Sequence, residues 1–431
     1  MVKQTFFKKM TLGEICDSYK GIIKTGPFGS QLHQSDYIEE GTPVIMPKNI
    51  IDWKVDVTGI AKIGEDDVNR LSQHKTKIGD IVYGRRGAIG RHAYITENEN
   101  GWICGTGCIK IRIDNSCLEP KYLSYYLRQD SIIKFIYNQA IGATMPNLNS
   151  EIIRSIPIIL LEKSQQKKIV AVLSAYDDLI DNNTRRIKIL EEMAQLIYRE
   201  WFVHFRFPGH EKVKMVETEL GMIPEGWKIC IIGDTCIKLN SGGTPSRNEQ
   251  AYWSNGSIPW FKTKELNDGF LFTSEEYINR LGLEKSSAKL FPEGTVLMAI
   301  YAAPTVGRLG ILTSPAAFNQ ATCGMVANPD RLTTMFLFYK LLELRNYFNM
   351  IAQGAAQQNI SVQKVREALI VLPPIELINR FDSYVLPLMD LARVLSQKNT
   401  NLRQTRDLLL PKLISGEIDV ENLDIAVPEE E

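Results

Sequence analysis

In this chain of 431 residues, five histidines and seven cysteines are the side chains best suited to acid–base, nucleophilic or metal chemistry near neutral pH. His33, His74, His92, His204 and His210 show no spacing that suggests a dyad, so surface or loop positions are expected for them. Cys104 and Cys108 are the closest cysteine pair, yet no histidine or second cysteine pair stands at zinc-ligand spacing from them. An odd cysteine count in a long chain is no disulfide framework, and buried free thiols are expected instead. No GxGxxG opens a helix, and neither a GxxxxGK[ST] phosphate loop nor a GxSxG elbow occurs. "LPPIE" from Leu372 has the two prolines of an amino-methyltransferase tetrad but lacks the amide or carboxylate before them and the aromatic residue after. With no nuclease array of carboxylates and lysine either, the sequence offers no catalytic residue and no metal ligand.

The elements that would position any functional side chain are written twice. "GATMPNLNSEIIRSIPIIL" from Gly142 and "GAAQQNISVQKVREALIVL" from Gly354 share Gly142/Gly354, Ala143/Ala355, Asn147/Asn359, Arg154/Arg366, Ile158/Ile370 and Leu160/Leu372 at an offset of 212 residues. Downstream the offset holds without a gap, so that Ser164 to Phe202 lies over Glu376 to Ile414. Upstream it drifts: Gly13 matches Gly233, "TPVIMPKNI" matches "IPWFKTKEL", and Gly90-Arg91 matches Gly307-Arg308. Variable fronts on constant backs suggest one fixed spacer carrying two different readers.

The backs carry a helical apolar period. Ile169, Tyr176, Leu190 and Ile197 fall on one heptad position with Asn183 as the polar exception, and Phe381, Leu388, Leu395, Leu402 and Leu409 repeat it. Val172, Leu173, Leu179, Ile180, Ile187 and Met193 widen the first stripe. Each helix would run ~40 residues, or roughly 60 Å, and pairing as a coiled coil is the expectation. Pro387 and Pro411 are expected to kink or end the second helix locally. The fronts read as strands and Gly-rich turns, with "GWICGTGCIKIRID" as a strand pair and short helices at Pro120 to Arg128 and Thr333 to Leu344. The expected layout is a first domain at residues 1–162, a helix at 163–206, a connector at 207–227, a second domain at 228–374, a helix at 375–416 and an acidic tail at 417–431.

Lysine plus arginine and aspartate plus glutamate both number 50, so net charge neither supports nor excludes nucleic acid. No apolar run reaches membrane-helix length, Pro157 breaking the longest, and the N-terminus has no signal-peptide core; a cytoplasmic location is expected.

"TGPFGSQL" at Thr25, "GMIPEGW" at Gly221, "SGGTPS" at Ser241 and "LLPKLISGEIDV" at Leu409, in that order, resemble the specificity subunit of type I restriction-modification enzymes. The resemblance covers essentially the whole chain. It implies an α+β architecture of two repeated target-recognition domains, separated by two long antiparallel helices forming a coiled coil. Each domain is implied to read one half of an asymmetric, interrupted site in double-stranded DNA. The family's partners would be two methyltransferase subunits and, in the full complex, restriction subunits. S-adenosylmethionine, ATP and Mg would be bound by those partners, and no cofactor by this chain. A self-sufficient nuclease and a protein-binding scaffold remain alternatives on the sequence.

Residues identical in both fronts cannot encode two different half-sites, so Lys48/Lys264 and Arg91/Arg308 are candidates for phosphate or scaffold. Residues that differ are candidates for base reading: Gln31, Gln34, Asn49, Arg85 and Arg86 in the first domain, and Arg247, Asn248, Lys262, Tyr301, Asn319 and Gln320 in the second. Arginine and lysine suit guanine, and asparagine and glutamine suit adenine. Gly26, Gly29, Gly242 and Gly243 are expected to form turns.

Overall fold

The computed structural model describes residues 8–29, 31–87, 89–140, 147–301, 305–352 and 359–427. Gly142, Ala143, Gly354 and Ala355, which open the repeat, lie outside the described residues. The chain divides into two compact units, residues 1–180 with 402–431 and residues 181–401. Each long helix is thus shared between the units, the divisions falling at Asp181 and Leu402.

In the first unit a four-stranded antiparallel sheet has the order Ile22–Thr25, Cys108–Arg112, Ile81–Gly84, His92–Tyr94. Alternation along Ile81–Gly84 explains its central place: Ile81 and Tyr83 pack with Ile109, Ile111, Tyr122 and Leu123, while Val82 packs on the opposite face with Ile45, Cys104 and Cys108. A smaller sheet places Ile103–Cys104 parallel to Thr42–Ile45, and Lys8–Thr11 pairs antiparallel with Pro157–Leu160. "GWICGTGCIKIRID" therefore contributes two strands, as expected, but to different sheets.

The second unit repeats this plan with one strand more. Its sheet has the order Cys236–Ser241, Thr322–Ala327, Val296–Ala299, Leu309–Leu312, Gly269–Leu271, the last strand joining parallel at the edge. Ala317–Phe318 lies parallel to Ile258–Phe261, and Lys228–Ile231 pairs with Leu369–Leu372, as their counterparts do in the first unit. The matched pairs Gly13/Gly233 and Arg154/Arg366 are in contact within each unit: a Cβ on Gly13 would stand 3.0 Å from Arg154 Cβ, and one on Gly233 2.5 Å from Arg366 Cγ. The connector also holds a hairpin, Met215–Thr218 with Gly221–Pro224, that the count of turn residues there did not reveal.

The long helices run over Lys163–Tyr198, followed by a single π-turn at Arg199–Val203, and over Ile375–Ile414. In the first unit Asp177 of one meets Arg406 of the other at 2.6 Å; in the second, Asn183 donates to Asn399 at 2.9 Å. The pairing is antiparallel, and the seam residues of the first helix alternate at spacings of four and three: Ile169, Leu173, Tyr176, Ile180, Asn183, Ile187, Leu190, Ala194, Ile197 and Trp201. Leu179 and Met193, expected on the stripe, are 54% and 46% exposed because they lie one residue outside that alternation. Pro387 does not end the second helix: buried Val385 and Met389 flank it on the seam, and their packing outweighs one missing backbone hydrogen bond. Pro411 falls in the last turn, which ends at Ile414.

Candidate nucleic-acid interface

In each unit three strand ends of the main sheet meet, and the loops leaving them are tied by equivalent backbone bonds. In the first unit the Gly26 amide donates to the Cys108 carbonyl at 2.9 Å, Arg85 to Gly107 at 2.7 Å, Gly105 to Ile45 at 2.9 Å and Leu148 to Arg85 at 3.0 Å. In the second, Gly242 donates to Thr322 at 3.1 Å, Ile300 to Ala321 at 2.9 Å, Asn319 to Phe261 at 3.0 Å and Ile360 to Ile300 at 2.8 Å. These two sets correspond bond for bond, so the same loop frame carries different side chains.

The glycines at this edge serve close approach rather than turn geometry. A Cβ on Gly26 would stand 2.0 Å from the Gly105 carbonyl oxygen, and one on Gly242 2.0 Å from that of Phe318. Neither has a left-handed φ, which corrects the expectation of turn formers at these two; Gly243 is likewise pressed against Ser287, while Gly29, with nothing within 4 Å, stands in a turn as expected. Positive φ is required instead at Gly90 (+93°) and Gly307 (+80°), the two glycines matched in the repeat. Each is followed by its matched arginine: the Arg91 carbonyl accepts from Gly84 at 3.1 Å, and that of Arg308 from Ala299 at 2.9 Å.

Two family-model matches, to residues 6–192 and 224–379, fall on these two units and carry the description type I restriction modification DNA specificity domain. The chain belongs to that family. It is 26% identical to the type I restriction enzyme MjaIX specificity subunit of Methanocaldococcus jannaschii, over 97% of this chain and 98% of the relative. With the HindI specificity subunit of Haemophilus influenzae it shares 22% identity over 82% and 89% of the two chains. The crystal structure of a type I restriction-modification S subunit from M. genitalium has the same fold, with a TM-score of 0.56 at 15% identity over 96% and 97% of the chains. This chain is a DNA-specificity component of a type I restriction-modification system, and its two units hold one specificity domain each.

In the first specificity domain the candidate residues divide by what already holds them. Lys48, on the single turn Pro47–Asn49, is exposed, as are Gln34, Arg86 and Arg91. Asn49 is 2% exposed and is spent internally, accepting from the Met46 amide at 3.1 Å and donating to the Asp56 carbonyl at 3.1 Å. Arg85 donates its Nε to the Leu148 carbonyl at 2.9 Å, and Gln31 accepts from the Phe28 amide at 3.1 Å, so both hold loops.

The second domain puts a charged cluster at the same edge. Lys264 takes the place of Lys48, and Glu265 that of Asn49, accepting from the Lys262 amide at 2.7 Å. Glu275 accepts from Lys264 at 2.6 Å and Lys262 at 3.1 Å; Glu276 accepts from Arg247 at 2.7 Å and lies 3.4 Å from Lys262. Arg247 also lies over Trp253, 3.9 Å from the ring centroid, and 4.9 Å from that of Trp260. Asn319 accepts from the Thr322 hydroxyl at 2.9 Å, Gln320 from the Thr244 hydroxyl, Tyr301 is 40% exposed and Asn248 is exposed. Trp253, Glu275, Glu276 and Thr244 were missed from sequence, since nothing local marks a glutamate that pairs with an arginine 29 residues away.

Within the cluster Glu275, Glu276 and Lys262 are each shifted toward their charged forms. Hydrogen bonding to Arg247 first, then its charge, holds the Glu276 carboxyl below the ordinary glutamate range; bonds from Lys264 and Lys262 do the same for Glu275. Burial alone would lower the Lys262 ammonium, but its bonds to Glu275 and Glu276 outweigh that and raise it. Buried His92 and Cys104 are shifted toward their neutral forms instead. Burial, then the charge of Arg128, pushes His92 down to about 3, its Nε2 lying 3.1 Å from the Ser124 carbonyl, and burial drives the Cys104 thiol up to about 12. Among the described residues no group of three or more His, Cys, Asp or Glu side chains could hold a metal ion, and no helix is long and apolar enough to cross a membrane.

Proposed function

We propose that this specificity component reads a bipartite, asymmetric sequence in double-stranded DNA, one half per domain, and directs partner subunits that methylate adenine and cleave with ATP. The observation that carries the reading is the duplicated loop frame: four backbone bonds recur in each domain, while the side chains they present differ. A common frame suits docking on a common backbone, and differing side chains suit two different base sequences. Lys48, Arg91 and Arg308, which make no ion pair among the described residues, are the candidates for phosphate contact, and exposed Arg86 remains a candidate for base reading. Two methyltransferase subunits bind, one for each copy of the repeated helix. S-adenosylmethionine, ATP and Mg are theirs to hold, and the chain itself catalyses no step; it acts inside the cell.

The test is sequencing of methylated sites in cells expressing the chain with its partner methyltransferase subunit. Exchange of residues 26–148 for the equivalent region of a relative is expected to change one half of the methylated sequence and leave the other intact. A change in both halves at once sinks the two-reader reading.

A further inference from the structure

The charged cluster of the second domain is not arranged as a phosphate clamp. A phosphate-binding surface presents cations without competing anions, because a phosphodiester beside carboxylates meets like charge. Here Glu275 and Glu276 stand within 2.6–3.4 Å of Arg247, Lys262 and Lys264. Carboxylates are tolerated where base edges lie, since cytosine presents an amino donor in the major groove.

Arg247 has the geometry of a fixed fork. Trp253 supports the face of the guanidinium at 3.9 Å, and Glu276 holds one edge through Nη2 at 2.7 Å. The support is itself anchored to the loop frame: Trp253 Nε1 donates to the Ser246 carbonyl at 3.1 Å, and buried Trp260 donates to that of Gly243 at 2.9 Å. A guanidinium carries five N–H donors, of which this arrangement uses one. The side chain is 51% exposed, and neither Nε nor Nη1 has a hydrogen-bond partner among the described residues. An arginine serving only as a structural tie would spend more of its donors inward, as Arg112 does with both carboxylate oxygens of Asp80 and the Lys75 carbonyl.

In the other domain the register from Gly26 to Gly242 places Gln31 at the position of Arg247, and Gln31 spends its side-chain oxygen on the Phe28 amide. The two domains therefore differ at a point where the second offers stacked, oriented donors. Guanine is the base whose major-groove edge offers two adjacent acceptors, O6 and N7, to such donors. We infer that Arg247 reads a guanine in the half-site of the second domain, with Trp253 and Glu276 as positioning residues that hold its fork. This rests on the reading that the domain's loop edge faces DNA.

Methylated-site sequencing of cells carrying the full chain with its partner methyltransferase subunit tests it, comparing wild type with Arg247→Ala, Arg247→Lys and Glu276→Gln. Arg247→Ala is expected to relax one G·C position, in one half only, by roughly ten- to a hundredfold. Arg247→Lys keeps the charge and loses the fork, so the same position is expected to relax while the salt dependence of duplex binding stays within that of wild type. Glu276→Gln is expected to weaken discrimination at that position alone, with unchanged hydrogen-exchange protection of the sheet Thr322–Ala327. Should Arg247→Ala not fold, the lysine variant decides. An unchanged site preference, relaxation at an A·T pair, or a uniform loss across all positions overturns the inference. A wild-type complex without sequence-specific methylation would instead overturn the proposed function, so the two failures are distinct.

Discussion

Asp177 is the carboxylate on which the helix pairing of the first unit turns. It accepts from the Tyr125 hydroxyl at 2.7 Å, Arg406 Nη1 at 2.6 Å and Arg128 Nη1 at 3.2 Å, and the side chains of Asp177, Arg128 and Arg406 are only 17%, 11% and 13% exposed. Asp177→Ala leaves two nearly buried guanidinium groups without their shared anion, and breaking such a pair costs about 3–5 kcal/mol. At about 1.4 kcal/mol per tenfold change, protection from hydrogen exchange through opening of this unit should fall by roughly two to nearly four decades. Peptide-resolved exchange suits a two-unit chain, whose unfolding is not a single transition. Peptides from 163–180 and 402–414 should lose protection, while Thr322–Ala327 in the other unit should not. The effect is pH-dependent with a definite sign. Burial raises the Asp177 pKa, but Arg128, Tyr125 and Arg406 together outweigh it and leave it below the ordinary value. The contribution is therefore present above about pH 4 and lost as pH falls through the depressed pKa. A loss of protection under tenfold, or an equal loss in both units, would refute the assignment of Asp177 as the buried counter-ion.

Gly26→Ala and Gly242→Ala each drive a methyl group to 2.0 Å from a backbone carbonyl oxygen, so each should destabilise its own unit by about 1–3 kcal/mol or more, read by the same exchange measurement. Glu191, raised by burial first and then by the charge of Asp268 to about 7, contributes stability that is complete below its unfolded pKa and lost as pH rises through 7. Glu191→Gln should therefore stabilise the second unit relative to wild type at pH 8 and leave it unchanged at pH 4, as peptide-resolved exchange compared with wild type at each pH will register. Inserting four residues after Thr184, about one helical turn and roughly 6 Å, should lengthen the gap between the two halves of the methylated sequence by one or two base pairs. Unchanged spacing with full methylation would show that helix length does not set that gap.

The repeat, the two long helices and the family were legible in the sequence because each is a local pattern or an ordered set of short strings. Heptad spacing marked Ile169, Asn183 and Leu190 as seam residues without reference to any partner, and Gly13/Gly233 and Arg154/Arg366 were visible as repeated positions, though only the fold brings each glycine against its arginine. Tertiary structure alone decided how side chains at matched positions are used. Asn49 and Arg85 read as base contacts on their residue types, yet the fold turns both inward to hold loops, because backbone groups left open by a tight turn take the nearest donor or acceptor. Pro387 reads as a helix breaker, and the buried seam on either side of it carries the helix through. The fork of Arg247 depends on Trp253, six residues on, and on Glu276, which arrives from a separate segment beyond the strand Ile258–Phe261. Periodicity states which face of an element is apolar; which charges meet across a fold depends on where loops of variable length return, and no local pattern encodes that.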